Sequence, residues 1–182
     1  MTDLTEKQIK RENIFDGQVL HVVRDTVELP NGKPATREVC LHIGAVAVIP
    51  VTDDGCVIME RQYRYPHSRV FLEIPAGKLD SADEIPLEAA QRELREETGA
   101  IAEKFTYLGK FIPSPAILSE VIHLYLAEGL TFGERELDED EFLEVERIPL
   151  DTLYAMVLRG EIEDGKTQTA ILRAYAAKRG KN

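Results

Sequence analysis

Glu84-x7-Arg92-Glu93-Leu94-Arg95-Glu96-Glu97-Thr98-Gly99-Ala100 is the stretch on which the reading of this chain turns. Its middle is helical by local criteria. Pro86 suits a first-turn position, Gly99 suits the position just past the last turn, and the residues between are nearly all good helix formers. Leu87, Ala90 and Leu94 recur as an apolar stripe, so a helix over Pro86–Thr98 is predicted. The other face is odd for a helix built only for stability. Glu93 and Glu97 share a face with Glu96 beside them, and like charges at that spacing repel. They also crowd the C-terminal end, where the helix dipole favours cations. A Glu-rich helix is ordinarily a solvated surface. Here it follows a tight loop, Ile74-Pro75-Ala76-Gly77-Lys78-Leu79, whose backbone can approach a ligand. Hard divalent cations, which take oxygen ligands and substrate phosphates, would reconcile the acids with their position.

Outward from the helix, the chain reads mostly as strands. Residues 1–12 are polar and are expected to be a frayed leader. Turn signals at Asp16-Gly17 and Pro30-Asn31-Gly32 bracket Val19–Val23 and Thr26–Leu29 as an antiparallel hairpin or meander. Glu38–Ile43 and Ala45–Val51 follow as strands, Asp53-Asp54-Gly55 turns into Cys56–Met59, and Phe71–Ile74 ends at Pro75. Downstream, Phe105–Phe111 and Val121–Leu126 read as strands, and Pro149–Gly160 and Thr167–Ala177 as two closing helices. The order implies an α+β fold, a mixed sheet with helices on its faces.

The 182 residues suit one compact domain with a small appendage, and 43% hydrophobic content is enough to build a core. A net charge of −11 argues against a coat for long nucleic acid and against binding to anionic membranes. The longest apolar stretch, Gly44–Val51, is too short to span a bilayer, and the first residues lack a secretory pattern, so the cytoplasm is expected. Cys40 and Cys56 read as buried, reduced thiols. Two segments carry the acidic excess. Ala76–Ala100 has seven acids against Lys78, Arg92 and Arg95, and Glu134–Arg147 has eight against Arg135 and Arg147. The second lacks EF-hand spacing; it is either a solvated loop or one that partly approaches bound metal.

The residues from Glu84 to Ala100 resemble the signature of the Nudix family, Gly-x5-Glu-x7-Arg-Glu-U-x-Glu-Glu-x-Gly-U with U apolar. Every fixed position from Glu84 onward fits, but six residues rather than five separate Gly77 from Glu84. Either one residue is inserted before Glu84 or Asp83 takes the Glu position with the extra residue after it; the insertion is preferred because it leaves the helix register untouched, and Glu84 can then pair with Arg92 to brace the loop. The resemblance implies the Nudix α/β/α sandwich over residues 41–182. It also implies an N-terminal antiparallel β extension over residues 1–40 that serves a homodimer. Glu93, Glu96, Glu97 and the Ala76 carbonyl would hold Mg²⁺, with Mn²⁺ as a substitute, and Gly77, Glu84, Arg92 and Gly99 would be structural. The implied reaction is attack of water on a diphosphate joining a nucleoside to a moiety X.

The flanks, Arg61-Gln62-Tyr63-Arg64 before the box and Ser114-Pro115-Ala116-Ile117 after it, are similar to the ADP-ribose and nucleotide-sugar pyrophosphatase branch. That likeness implies a nucleotide-sugar substrate. Arg61 and Arg64 are candidates for the diphosphate, since guanidinium forks match phosphate oxygens, with surface ion pairs as the alternative. Arg37 would reach the neighbouring subunit's site. Glu73 is either a substrate contact or a strand-edge carboxylate. Glu120 is the candidate general base, and a box glutamate such as Glu96 is the alternative. Phe15, Tyr63 and Tyr65 either stack on a base or pack in the core, and His42 and His123 read as packed or hydrogen-bonded histidines. The competing functions are hydrolysis of another nucleoside diphosphate-X and a catalytically silent nucleotide-sugar sensor.

Overall fold

Residues 3–137 and 141–180 are described by the structure, a computed structural model of the chain. Their contacts fall into two units, residues 1–44 with 112–121 and residues 45–111 with 122–182.

In the first unit, β1 (Lys7–Asp16), β2 (His21–Glu28) and β3 (Pro34–Leu41) form an antiparallel sheet in the order β1-β2-β3. Two expectations are corrected here. The stretch read as a frayed leader contains most of β1, and the two runs read between Val19 and Leu29 form a single strand, His21–Glu28. All ten β1 residues are exposed, so the strand carries no apolar alternation; cross-strand pairs hold it instead. The Arg11 guanidinium grips Asp25 through two hydrogen bonds of 2.8 and 2.7 Å. That same pairing is why Arg24-Asp25, which looked like a break, lies mid-strand. Segment 112–121 joins β3 through a parallel bridge between Cys40 and Leu118.

The second unit is built on β4 (Ala45–Pro50), buried at all six positions. A continuous apolar run of this kind fits a strand covered on both faces. It is followed by β5 (Cys56–Arg64), β6 (Arg69–Glu73), β7 (Ala76–Lys78), α1 (Pro86–Thr98), β8 (Ala100–Phe111), β9 (Ile122–Phe132), β10 (Leu143–Pro149), α2 (Leu150–Leu158) and α3 (Gly165–Arg179). A mixed sheet has the order β7-β4-β9-β8, with β4 and β9 parallel, and an antiparallel sheet has the order β10-β5-β6. Val46 and Val48 point into one core with Ala90 and Leu94 of α1. Ala45, Ala47 and Ile49 point into the other with Leu153 of α2 and Ile171 of α3. The sandwich of helix, mixed sheet and helices agrees with the sequence.

Several boundaries moved. β5 runs on through Arg64 and β8 begins directly after Gly99. The segment expected as a loop before α1 contains the short strand β7, and the acidic segment ends in a strand, since Glu144, Glu146 and Arg147 belong to β10. Its Asp138, Glu139 and Asp140 lie outside the described residues. Cys40 and Cys56 are free but half-buried rather than fully buried.

Candidate active site

Helix α1 sets the carboxylates by three local devices. Pro86 opens it, and Gly99 closes it in the left-handed region at φ 70°, its N–H donating to Arg95 O at 2.8 Å. A Cβ on Gly99 would lie 2.5 Å from the carbonyl oxygen of Gly133, so the position excludes any side chain. Leu94 and Ala90, fully buried, fix the rotation of the helix and turn Glu93 and Glu97 toward β7.

There the backbone receives them closely. Ala76 N–H donates to Glu97 Oε2 at 2.9 Å. A Cβ on Gly77 would fall 2.0 Å from Glu93 Cδ, so only glycine leaves room for that carboxylate. Arg92 Nη1 donates to Glu93 Oε1 at 2.8 Å and to Glu96 Oε2 at 3.2 Å, while Nη2 meets Glu84 Oε1 at 3.3 Å. Glu84 also accepts the Asp80 N–H at 2.6 Å. The predicted Glu84–Arg92 brace is therefore present, and the additional loop residue leaves the helix register intact.

Burial dominates the electrostatics. Glu97 is 4% exposed, and burial first, then the charges of Glu60, Glu93 and Glu141, push its carboxyl well above the usual carboxylate range. Glu60 is pushed the same way by burial, Glu141 and Glu73. Glu93 is raised by burial, with Arg92 opposing. Glu73 is the contrast. Burial raises it too, but Arg64 and Lys166 more than offset this and hold it down at about 2.

Sequence reading gave no role to four members of this neighbourhood, Glu60, Lys166, Asp164 and Glu141. Glu60 lies on β5 after the apolar run Val57-Ile58-Met59, and a lone acid at the end of such a run was its only signal. Lys166 sits in the first turn of α3 and pairs with Glu73 and, at 3.0 Å, with Asp164. Asp164 caps α3 by accepting the Thr167 N–H at 2.9 Å, and Thr167 Oγ1 accepts the Ile74 N–H at 3.1 Å. The start of α3 thereby pins the segment that leads into Ala76. Glu141 lay within the acidic segment and is close enough to raise Glu60, Glu93 and Glu97.

The predicted arginines are all engaged by carboxylates. Arg64 makes a two-pronged pair with Glu73 at 2.8 Å on each arm, Arg61 meets Glu146 at 2.6 Å, and Arg37 meets Glu6 at 2.9 and 2.5 Å. Arg61 and Tyr63 border a groove of about 550 Å³ that also reaches Glu141 and Phe142. Tyr63, Tyr65 and Phe15 are exposed, so none of them packs in a core. In the first unit, Glu120 Oε1 stands 3.6 Å from His42 Nε2. Gly44 N–H donates to His42 Nδ1 at 3.1 Å, which places the ring proton on Nε2, facing Glu120. His123 accepts or donates with the Tyr107 hydroxyl at 3.2 Å, as a hydrogen-bonded strand histidine should.

Among the described residues no three His, Cys, Asp or Glu side chains converge tightly enough to hold an ion as they stand. The chemistry of the donor set nonetheless fits a hard divalent cation. The donors are all oxygen, Glu97 is buried with Glu93 and Glu96 half-buried beside it, and Glu60 Oε1 has no hydrogen-bond partner among the described residues.

Residues 41–170 match the NUDIX domain. The chain belongs to the Nudix family. Residues 6–40 match the nucleoside diphosphate sugar hydrolase N-terminal domain, which places the chain in the nucleotide-sugar branch of the Nudix enzymes. It is 48% identical over 173 residues to an ADP-ribose pyrophosphatase of Bacillus subtilis (strain 168), covering 94% of this chain and 93% of the relative. It is 44% identical over 168 residues to a methanol dehydrogenase activator of Bacillus methanolicus, covering 91% and 90%. The crystal structure of an ADP compounds hydrolase superposes at a TM-score of 0.88 and 24% identity, covering 100% of this chain and 99% of that one, so the two share a fold. Nudix hydrolases generally need a divalent cation, in keeping with the oxygen donors above.

Proposed function

We propose that this Nudix hydrolase cleaves the diphosphate of nucleoside diphosphate sugars, ADP-ribose first among them, to a nucleoside monophosphate and a sugar phosphate. Mg²⁺ is the cation, with Mn²⁺ able to replace it. The observation that carries the reading is the carboxylate face of α1 set against Ala76 and Gly77, where Glu97 is buried facing other acids and a bound cation would offset their repulsion. Glu93, Glu96, Glu97 and the Ala76 carbonyl would hold the cation. When bound, it would neutralise phosphate oxygens and lower the pKa of an attacking water.

The chain's own groups do the rest. Arg92 ties Glu93, Glu96 and Glu84 together, so that loop and helix present one surface. Arg61, at the edge of the groove with Tyr63, meets the diphosphate by exchanging Glu146 for it, and Tyr63 offers an exposed ring to a base. Arg64 and Glu73, locked together and to Lys166, orient the bound sugar phosphate. Glu120 takes the proton of the attacking water; within its own unit its carboxylate stands 3.6 Å from His42 Nε2. Arg37 completes the site of a second copy in a homodimer; a monomer in sedimentation at micromolar concentration would remove that part. Among the described residues no helix is long and apolar enough to cross a membrane. The cytoplasm remains our proposal for its location, from the sequence.

The test is a panel of ADP-ribose, other nucleotide sugars and dinucleotides, with products resolved by mass in ¹⁸O-water, with and without Mg²⁺. Mg²⁺-dependent release of AMP and ribose phosphate is expected. The methanol dehydrogenase activator's name favours keeping a second reading, hydrolysis of a different nucleoside diphosphate-X. Turnover of another panel member in preference to ADP-ribose would select it, and a folded protein without turnover on any member would favour the silent sensor.

A further inference from the structure

We propose that Glu60, a β5 residue outside the box, is a further carboxylate ligand of the divalent-cation site, acting beside Glu97. The inference rests on the cation-dependent reading above. Glu60 is 3% exposed, and its Oε1 is buried without a hydrogen-bond partner among the described residues. A buried carboxylate is normally paired or hydrogen-bonded. The two cations near it are already held elsewhere. Arg64 gives both arms to Glu73, and Lys166 is shared by Glu73 and Asp164.

The neighbours that Glu60 does face are acids. Glu73 is its partner across the β5–β6 ladder, and Glu97 and Glu141 are close enough to interact with it electrostatically. Side chains alternate along β5, so Glu60, Gln62 and Arg64 share one face while Arg61 and Tyr63 point the other way. On that face Arg64 meets Glu73, and Gln62 Nε2 donates to Glu141 Oε1 at 3.4 Å. Strand β5 and helix α1 thus bring Glu60 and Glu97 near enough for their charges to act on each other. A purely structural β5 would do better with an apolar residue here, continuing Val57, Ile58 and Met59, all fully buried. One shared cation gives the unpartnered Oε1 a partner and turns the repulsion between Glu60 and Glu97 into common ligation.

Mn²⁺ binding to the whole protein, followed by electron paramagnetic resonance without substrate, tests this in wild type, E60Q, E60L and E97Q. Wild type should bind Mn²⁺. E60Q and E60L should bind about tenfold or more weakly, in the range seen when groups supporting a metal are removed. Their metal-free melting temperatures should be equal to or above that of wild type. E60Q and E60L with wild-type affinity and stoichiometry, alongside a weakened E97Q, would overturn the role of Glu60 and leave the cation site standing. Wild type that binds no Mn²⁺ would overturn both. A metal-free melting temperature lowered in both variants would assign Glu60 to the framework instead.

Discussion

Glu73 and Glu97 are both buried glutamates within one unit, and their surroundings drive them in opposite directions. Glu73 meets Arg64 and Lys166, whereas Glu97 meets other acids. The consequence for Glu73 is a stability that depends on acid. Its carboxyl titrates at about 2 in the folded protein against a reference of 4.5. A depressed carboxyl contributes stability that is complete above the reference value and is lost as pH falls from there toward about 2. The shift corresponds to roughly 3 kcal/mol. Chemical denaturation of wild type and E73Q across that window should give a difference that shrinks as pH falls; a constant difference would contradict the pairing. At the same scale, Glu120→Gln, with metal saturating, is expected to slow turnover about 100-fold or more. Near-normal turnover would take the proton-accepting role from Glu120 and give it to Glu96 or to Glu141 beside the cluster.

Helix α1 is the element that both builds the fold and carries the chemistry, and its two faces separate the two tasks. Leu94 and Ala90 anchor it, so Leu94→Ala should cost about 2–5 kcal/mol with no specific effect on cation binding. Gly77→Ala should do the reverse. The added Cβ meets only the end of the Glu93 side chain, so the melting temperature should change little while cation affinity and turnover fall together. A large loss of stability with unchanged affinity would contradict the close approach of Gly77 and Glu93. This helix was legible in the sequence because its caps, stripe and acids are all local signals. β1 was not. Its ten exposed residues show no period, and what holds it is the pairing of Arg11 with Asp25, fourteen positions along the chain. β10 was hidden in the same way, because an acid-rich run resembles a loop until Arg61, opposite Glu144 in the ladder, is found paired with Glu146.

Across the molecule, the −11 net charge sharpens into a question of where acids lack partners. Box residues Glu93, Glu96 and Glu97 could be read directly, because their spacing is the signature itself. Glu60 and Lys166 could not, since each is brought to the site by strand pairing or by the seating of α3 rather than by sequence proximity. Buried acids gathered in this way are expected to lower the metal-free stability, as in sites built for a bound ion. Thermal unfolding of wild type and E97Q, with and without millimolar Mg²⁺, tests that claim most directly. Wild type should melt higher with Mg²⁺, and E97Q should melt above metal-free wild type and respond little to the ion. A wild type indifferent to Mg²⁺, or an E97Q that melts below it without metal, would contradict the account.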